Sequence, residues 1–97
     1  MKKKIALLGS TGSIGKTLLD IVKKNTKDFE IILLTANKNY KKLLQQTKDF
    51  NVRNVIITNK ESYEKFKISN KNKKIKIYSD YSKFNKIFKN KIDYAMS

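Results

Sequence analysis

Residues 9 to 15 read Gly9-Ser10-Thr11-Gly12-Ser13-Ile14-Gly15, and they lie between a short apolar run and an amphipathic stretch. This order predicts a strand over about 4–8, a tight glycine turn, and a helix over about 13–24. Glycines here let the chain turn sharply, let bare backbone approach a phosphate, and let the helix pack closely on the strand. The amides of Thr11 to Ile14 then lie at the positive end of the helix dipole, where they stabilise an anion.

The spacing G-x-x-G-x-x-G, with a strand before it and a helix after it, indicates a dinucleotide site. We expect the hydroxyl groups of Ser10, Thr11 and Ser13 to add donors for phosphate oxygens. A turn that only closes an ordinary strand-helix unit is the alternative. A P-loop is excluded because Gly15-Lys16-Thr17 lacks the loop glycine five residues before Gly15.

The composition narrows the class of protein. A chain of 97 residues is at most one domain, and we expect 1–97 to be the N-terminal part of a dinucleotide-binding domain. Neither cysteine nor histidine is present, which excludes disulfides, a cysteine nucleophile and a histidine base. No apolar run is long enough for a membrane span or a signal peptide, so we expect a cytoplasmic protein without a membrane partner.

The formal net charge of +15 raises the question of a nucleic-acid partner. All 23 basic residues except Arg53 are lysines, and they are scattered along the chain together with many asparagines and isoleucines. Proteins that read bases favour arginine. We therefore attribute the lysines to compositional drift and predict no nucleic-acid partner. The alternative is a polyanion-binding patch at 71–74 or 86–91.

The hydrophobic pattern alternates strands and helices with short connections, which is typical of a parallel sheet covered by helices. The fold class is therefore α/β, a Rossmann-like parallel sheet that is incomplete because the chain stops in a strand. We read this chain as the front part of a longer protein. The predicted strands are 4–8, 29–35, 54–58, 74–78 and one from 91, and the predicted helices are 13–24, 40–49, about 58–66 and one after Ser79 and Asp80.

Several details of these elements are also predicted. Asn25 fits a left-handed cap at the end of the first helix, Thr58 with Glu61 matches a capping box, and Ser79 and Asp80 can cap the fourth helix. The apolar stripe of the first helix comprises Ile14, Leu18, Leu19, Ile21 and Val22. Core positions suit Tyr63, Tyr78, Tyr81 and Tyr94 better than catalytic roles do.

The end of the second strand carries the other cofactor signal. In dinucleotide-binding folds an acidic residue there selects NAD, and a cation admits the 2′-phosphate of NADP. Here the strand ends in Thr35-Ala36-Asn37-Lys38-Asn39, with no carboxylate and with Lys38 between two amides. This segment indicates NADP. The eight carboxylates show no spacing that would gather a metal, and no catalytic constellation is visible.

The string from Ile5 to Gly15, followed by Thr17-Leu18-Leu19-Asp20-Ile21-Val22, resembles the start of the 1-deoxy-D-xylulose 5-phosphate reductoisomerase family. The segment 35–39 resembles that family's second cofactor segment, and 93–97 matches the start of its next core strand. The resemblance is strong over about 1–45 and looser over 60–92. Asn37 departs from it, since glycine is frequent there.

The resemblance implies an NADPH-dependent oxidoreductase and isomerase of isoprenoid biosynthesis by the methylerythritol phosphate route. Such an enzyme converts 1-deoxy-D-xylulose 5-phosphate, a phosphosugar, to 2-C-methyl-D-erythritol 4-phosphate with Mg²⁺ or Mn²⁺. By matching position, Thr11, Gly12, Ser13 and Ile14 would hold the diphosphate, and Asn37, Lys38 and Asn39 the ribose phosphate. The metal ligands and substrate residues would lie beyond residue 97. The full-length protein would be a homodimer, and this chain alone would be inactive.

Two other functions remain open from the residues alone. An extended short-chain epimerase or a semialdehyde-type dehydrogenase would share the fold, the glycine spacing and the cofactor. A small basic nucleic-acid-binding module would explain the charge instead.

Overall fold

The computed structural model describes residues 2–97, apart from the side chain of Ile87. These residues form one parallel sheet with the strand order β4-β3-β2-β1-β5. The strands are β1 (Lys3–Leu7), β2 (Phe29–Ala36), β3 (Asn54–Ile57), β4 (Lys76–Tyr78) and β5 (Tyr94–Met96). The helices are α1 (Ser13–Lys24), α2 (Tyr40–Asp49), α3 (Lys60–Ser69) and α4 (Phe84–Phe88). The predicted α/β fold class is confirmed.

The sheet buries side chains on both faces, which is why β1, β2 and β3 are nearly continuous apolar runs. Helices α1, α2 and α3 cover one face, with Leu19, Leu43 and Phe66 in its core. Helix α4 covers the other face, where Phe88 packs with Leu33. Alternate residues of β1 and β3 supply the two cores because successive side chains point to opposite faces. Strand β2 departs from this alternation where its pairing with β1 shifts register, and the consecutive residues Ile32 and Leu33 both pack in the second core.

The strand order places the glycine turn at the point of the sheet where the order of the strands reverses. The chain runs from β1 through β2 and β3 to β4 in one direction, and it then crosses back to β5 on the other side of β1. Ligands of open parallel sheets bind in the crevice at the carboxyl ends of the strands where the order reverses in this way. The turn after β1 lies at that crevice, and Leu8 N donates to Met96 O of β5 there (2.7 Å).

Asn25 is the C-cap of α1 as predicted but lacks the predicted conformation, and the predicted caps of α3 and α4 are wrong. Asn25 is not left-handed (φ −133°), and its side chain donates to Ile21 O instead. Asn59, not Thr58, caps α3 by accepting from Ser62 N. Asp80 does not cap α4 but accepts from Ser82 in the preceding turn, which lowers the Asp80 pKa.

Some predicted core positions are exposed. Ile14 and Ile21 are 64% and 49% exposed, because α1 rests on the sheet through Gly15, Leu19 and Val22. Tyr81 and Tyr94 are also largely exposed. In the part of the chain that the structure covers, no helix has the length and apolar character needed to cross a bilayer.

Candidate dinucleotide site

Two glycines make the tight turn possible, one by its positive φ angle and the other by allowing a close approach of the backbone. Gly9 has φ +70°, a left-handed conformation that side chains rarely adopt, and Ser10 N then donates to Thr35 O across the sheet (2.9 Å). A Cβ on Gly15 would lie 2.6 Å from the backbone of Ser10. Helix α1 can therefore begin directly against the turn only because residue 15 has no side chain.

Ser10 locks the turn to α2 rather than facing a ligand. Its side chain is fully buried, and Ser10 Oγ donates to Gln46 Oε1 (2.8 Å). Gln46 Nε2 in turn donates to the carbonyl oxygen of Ser10 (3.0 Å). The expectation that the Ser10 hydroxyl binds phosphate is therefore wrong. Ser13 is exposed and Thr11 is half-buried at the start of α1, so their hydroxyl groups are better placed for a phosphate.

The start of α1 has no side-chain cap. Its N-cap is Gly12, and the first helical hydrogen bond joins Lys16 N to Gly12 O (2.9 Å). The amides of Ser13, Ile14 and Gly15 consequently have no acceptor within the helix. The N-termini of α2 and α3, by contrast, are capped by the side chains of Asn39 and Asn59. The helix that follows the glycine turn thus leaves its positive end open to an anion.

Gly12 leaves space beside that helix end. A Cβ added there would meet only Gly9 O, at 3.6 Å, which is an ordinary van der Waals contact. The Gly12 amide itself donates to Gly9 O (3.2 Å) and so belongs to the turn. A phosphate can approach the backbone of Gly12 closely, as the predicted role of this residue requires.

The second predicted segment, residues 37–39, lies at the same edge of the sheet. Asn37 Nδ2 donates to Thr58 Oγ1 (2.6 Å), and Asn59 N donates to Asn37 O. Ser62 Oγ donates to Lys38 O (2.9 Å). The turn after β3 therefore fixes the backbone of this segment.

The three side chains of this segment differ in what they can offer a ligand. The Asn37 amide group is committed to Thr58, and Asn39 Oδ1 accepts from Lys42 N as the cap of α2. Lys38 is exposed, and its ammonium group can reach outward from a backbone that is held in place. The structure therefore brings Lys38 and the start of α1 to one edge, while Asn37 and Asn39 mainly shape the loop.

The site is also organised by Gln46, Thr35 and Tyr81, to which the sequence analysis gave no role in the site. Gln46 clamps the glycine turn as described, and the Thr35 hydroxyl accepts from both Gly9 N (2.9 Å) and Tyr81 Oη (2.8 Å). No local pattern could have revealed these contacts, since each joins residues at least 26 positions apart. Burial of Gln46 within α2 indicates its role in the structure, but a sequence does not show that a glutamine is buried.

The charges near the site are positive. Lys16 on α1 and Lys42 on α2 face each other, and contact with the Lys16 side chain together with its charge lowers the pKa of Lys42. Within residues 2–97, no group of acidic side chains is placed to hold a metal ion. Positive charge at this edge of the sheet favours an anionic ligand.

Comparison with known proteins agrees with this geometry. The sequence profile of 1-deoxy-D-xylulose 5-phosphate reductoisomerase matches residues 5–97. The reductoisomerase of Pelagibacter ubique is 54% identical over 97% of this chain, and that of Buchnera aphidicola is 49% identical over 76%. The matches cover 25% and 19% of those two proteins, so the chain spans about a quarter or less of their length.

Solved structures show the same likeness. The reductoisomerase from Zymomonas mobilis in complex with NADPH is 29% identical, with a TM-score of 0.75 over 80% of this chain and 21% of that one. A reductoisomerase structure in complex with magnesium shares the fold, with a TM-score of 0.84 over 98% of this chain and 24% of that one. The chain belongs to the 1-deoxy-D-xylulose 5-phosphate reductoisomerase family.

Proposed function

We propose that this chain is the NADPH-binding part of a 1-deoxy-D-xylulose 5-phosphate reductoisomerase. The observation that carries the proposal is the uncapped start of α1 at the point where the strand order reverses. Helix amides and the helix dipole favour a diphosphate there, and the open space at Gly12 lets it approach. The related Zymomonas mobilis enzyme was solved in complex with NADPH, which supports the choice of ligand.

Each predicted residue takes a role in this proposal. The backbone around Thr11 and Gly12 and the amides of Ser13 and Ile14 hold the diphosphate. Lys38 pairs with the 2′-phosphate, because a charge-assisted hydrogen bond to a phosphate contributes about 1.5–3 kcal/mol. Asn37 holds the loop through Thr58, and Asn39 offers its Nδ2 donor while its Oδ1 caps α2.

The complete protein would convert 1-deoxy-D-xylulose 5-phosphate to 2-C-methyl-D-erythritol 4-phosphate in isoprenoid biosynthesis. NADPH supplies the hydride for the reduction. The phosphosugar and a divalent metal, Mg²⁺ or Mn²⁺, would be bound by residues outside this chain, since the described residues gather no metal ligands. We expect this chain alone to bind cofactor without turnover, and we expect the complete protein to be a cytoplasmic homodimer.

Calorimetric titration of the chain with NADPH and NADH tests the proposal. We expect NADPH to bind more tightly than NADH, and Lys38→Ala to narrow the difference because it removes the charge that faces the 2′-phosphate. Gly12→Val should abolish binding of both nucleotides because its side chain fills the phosphate space.

Circular dichroism provides the control for folding, since an added Cβ at residue 12 makes no close contact. A folded Gly12→Val protein that still binds NADPH would contradict the diphosphate assignment. An unchanged preference in Lys38→Ala would contradict the role of Lys38.

A further inference from the structure

The N-terminal ends of α1 and α2 bring two lysines together. Lys16 lies one helical turn after Gly12, and Lys42 lies in the first turn of α2, three residues after its cap Asn39. Both side chains line the same groove. Contact with the Lys16 side chain, together with the charge of Lys16, lowers the pKa of Lys42, as expected for two neighbouring cations that repel each other.

The pair lies at one end of a groove of about 800 Å³ between the two helices. Gln46 also lines the groove, one turn after Lys42, and its amide is bonded to Ser10 of the glycine turn. This clamp places Lys42 beside the glycine turn and next to the 37–39 segment. Lys16 thus lies in the first turns of the helix that follows the glycine turn, and Lys42 in the first turn of the helix that follows residues 37–39.

The groove also contains carboxylates, and none of them neutralises the pair. Asp20 follows Lys16 by one turn, Asp49 follows Lys42 by two turns, and Glu30 lies at the start of β2, all toward the far end of the groove. A lysine four residues before an acid is in the less favourable order for a helical ion pair. Among the residues that the structure describes, the ion pair found is Lys65–Glu61, on α3.

We propose that Lys16 and Lys42 form a phosphate-binding pair that takes the 2′-phosphate of the nucleotide, together with Lys38. This inference rests on the proposed function and adds two specificity-determining residues to it. A phosphate dianion between the ammonium groups turns their repulsion into attraction, and it accepts a charge-assisted hydrogen bond from each. Both side chains start from helices, so their backbone positions are fixed before the ligand arrives, and the flexible lysine stems adjust the ammonium groups to the phosphate.

The experiment compares Lys42→Gln and Lys16→Gln with the control Lys41→Gln, which removes the same charge from a neighbouring exposed position outside the groove. Each protein is titrated calorimetrically with NADPH and with NADH. We expect each groove variant to lose about tenfold in NADPH affinity, the effect of one charge-assisted hydrogen bond, with NADH affinity unchanged. Lys42→Arg should retain the preference because it keeps the charge.

Thermal unfolding without ligand gives an independent readout. Removal of either lysine should raise the melting temperature more than Lys41→Gln does, because it relieves the repulsion within the pair. A purely structural role would instead lower the melting temperature.

Three results would overturn the inference, and they are distinguishable. Equal losses of affinity for NADPH and NADH would show that the two lysines bind the diphosphate rather than the 2′-phosphate. An unchanged NADPH affinity would show that they do not bind the nucleotide. In both cases NADPH binding by the unmodified chain would leave the proposed function standing. Failure of the unmodified chain to bind NADPH would overturn both.

Discussion

The glycines at residues 12 and 15 differ in what a methyl group would meet at each position. At Gly15 an added Cβ would lie 2.6 Å from the backbone of Ser10, and only a shift of the helix or the turn could relieve the contact. At Gly12 the nearest atom would be Gly9 O at 3.6 Å, which requires no movement. Gly15 therefore serves the fold, and Gly12 leaves open space beside the start of α1.

This difference predicts opposite outcomes for two alanine variants. Gly15→Ala should destabilise the protein by about 2 kcal/mol or more, in the range of overpacking by added methyl groups. Gly12→Ala should cost about 1 kcal/mol or less, the size of an unfavourable N-cap residue. Chemical denaturation of both variants measures the two values. Equal stabilities would show that α1 does not approach Ser10 as closely as described.

At the same scale, the sequence predicted the roles of Gly9 and Gly15 correctly and the role of Ser10 wrongly. A glycine in a turn indicates that the backbone adopts a conformation, or makes a close approach, that other residues disfavour. This requirement is visible in the local sequence. The direction of a serine hydroxyl depends on its neighbours in space, and Gln46 is 36 residues away. The residues of 37–39 show the same limit, because the bond from Asn37 to Thr58 depends on how β2 and β3 are paired.

At the scale of elements, the sequence predicted the order and type of every strand and helix, because strand and helix periodicities differ strongly. The bounds of α1 and α2 were also predicted correctly. Two caps failed, because Asn59 rather than Thr58 caps α3 and Lys83 rather than Asp80 precedes α4. Asn25 caps α1 as predicted, but not in the left-handed conformation. The predicted buried side of α1 was wrong at Ile14 and Ile21, which lie along one edge of its apolar stripe, whereas the sheet contacts the other edge through Gly15, Leu19 and Val22.

Helix α2 is tied to the glycine turn by Gln46, and this contact gives a prediction for the element. Gln46→Leu leaves the Ser10 carbonyl oxygen without its donor in a buried position, so unfolding free energy should fall by about 1–3 kcal/mol. The neighbouring Gln45 is exposed and bonds to Asp49 within the helix. Gln45→Leu should therefore change stability by less than about 0.5 kcal/mol.

Urea denaturation of the two glutamine variants checks this prediction. NADPH affinity should also fall in Gln46→Leu, because Gln46 orients the turn that we propose binds the diphosphate. A Gln46→Leu protein as stable as Gln45→Leu would show that the two hydrogen bonds to Ser10 do not hold the turn.

At the scale of the whole molecule, strand order gathers the site at one edge of the sheet. The glycine turn follows β1, the Lys38 segment follows β2, and Thr58 and Asn59 follow β3, all at carboxyl ends of neighbouring strands. The sequence could predict a parallel sheet but not the hydrogen bonds between these turns, which arise only when the strands are aligned. The lysines elsewhere lie mostly in solvent, and the absence of a nucleic-acid partner stays a prediction.

The central claim is that the open amides at the start of α1 hold the diphosphate of NADPH. The most direct test is a titration of the isotopically labelled chain with NADPH, followed by the amide chemical shifts in nuclear magnetic resonance spectra. We predict that the largest changes fall on Thr11, Ser13 and Ile14, with a second group at Lys38 and Asn39. Changes confined to other parts of the chain, or none at saturating NADPH, would contradict the account.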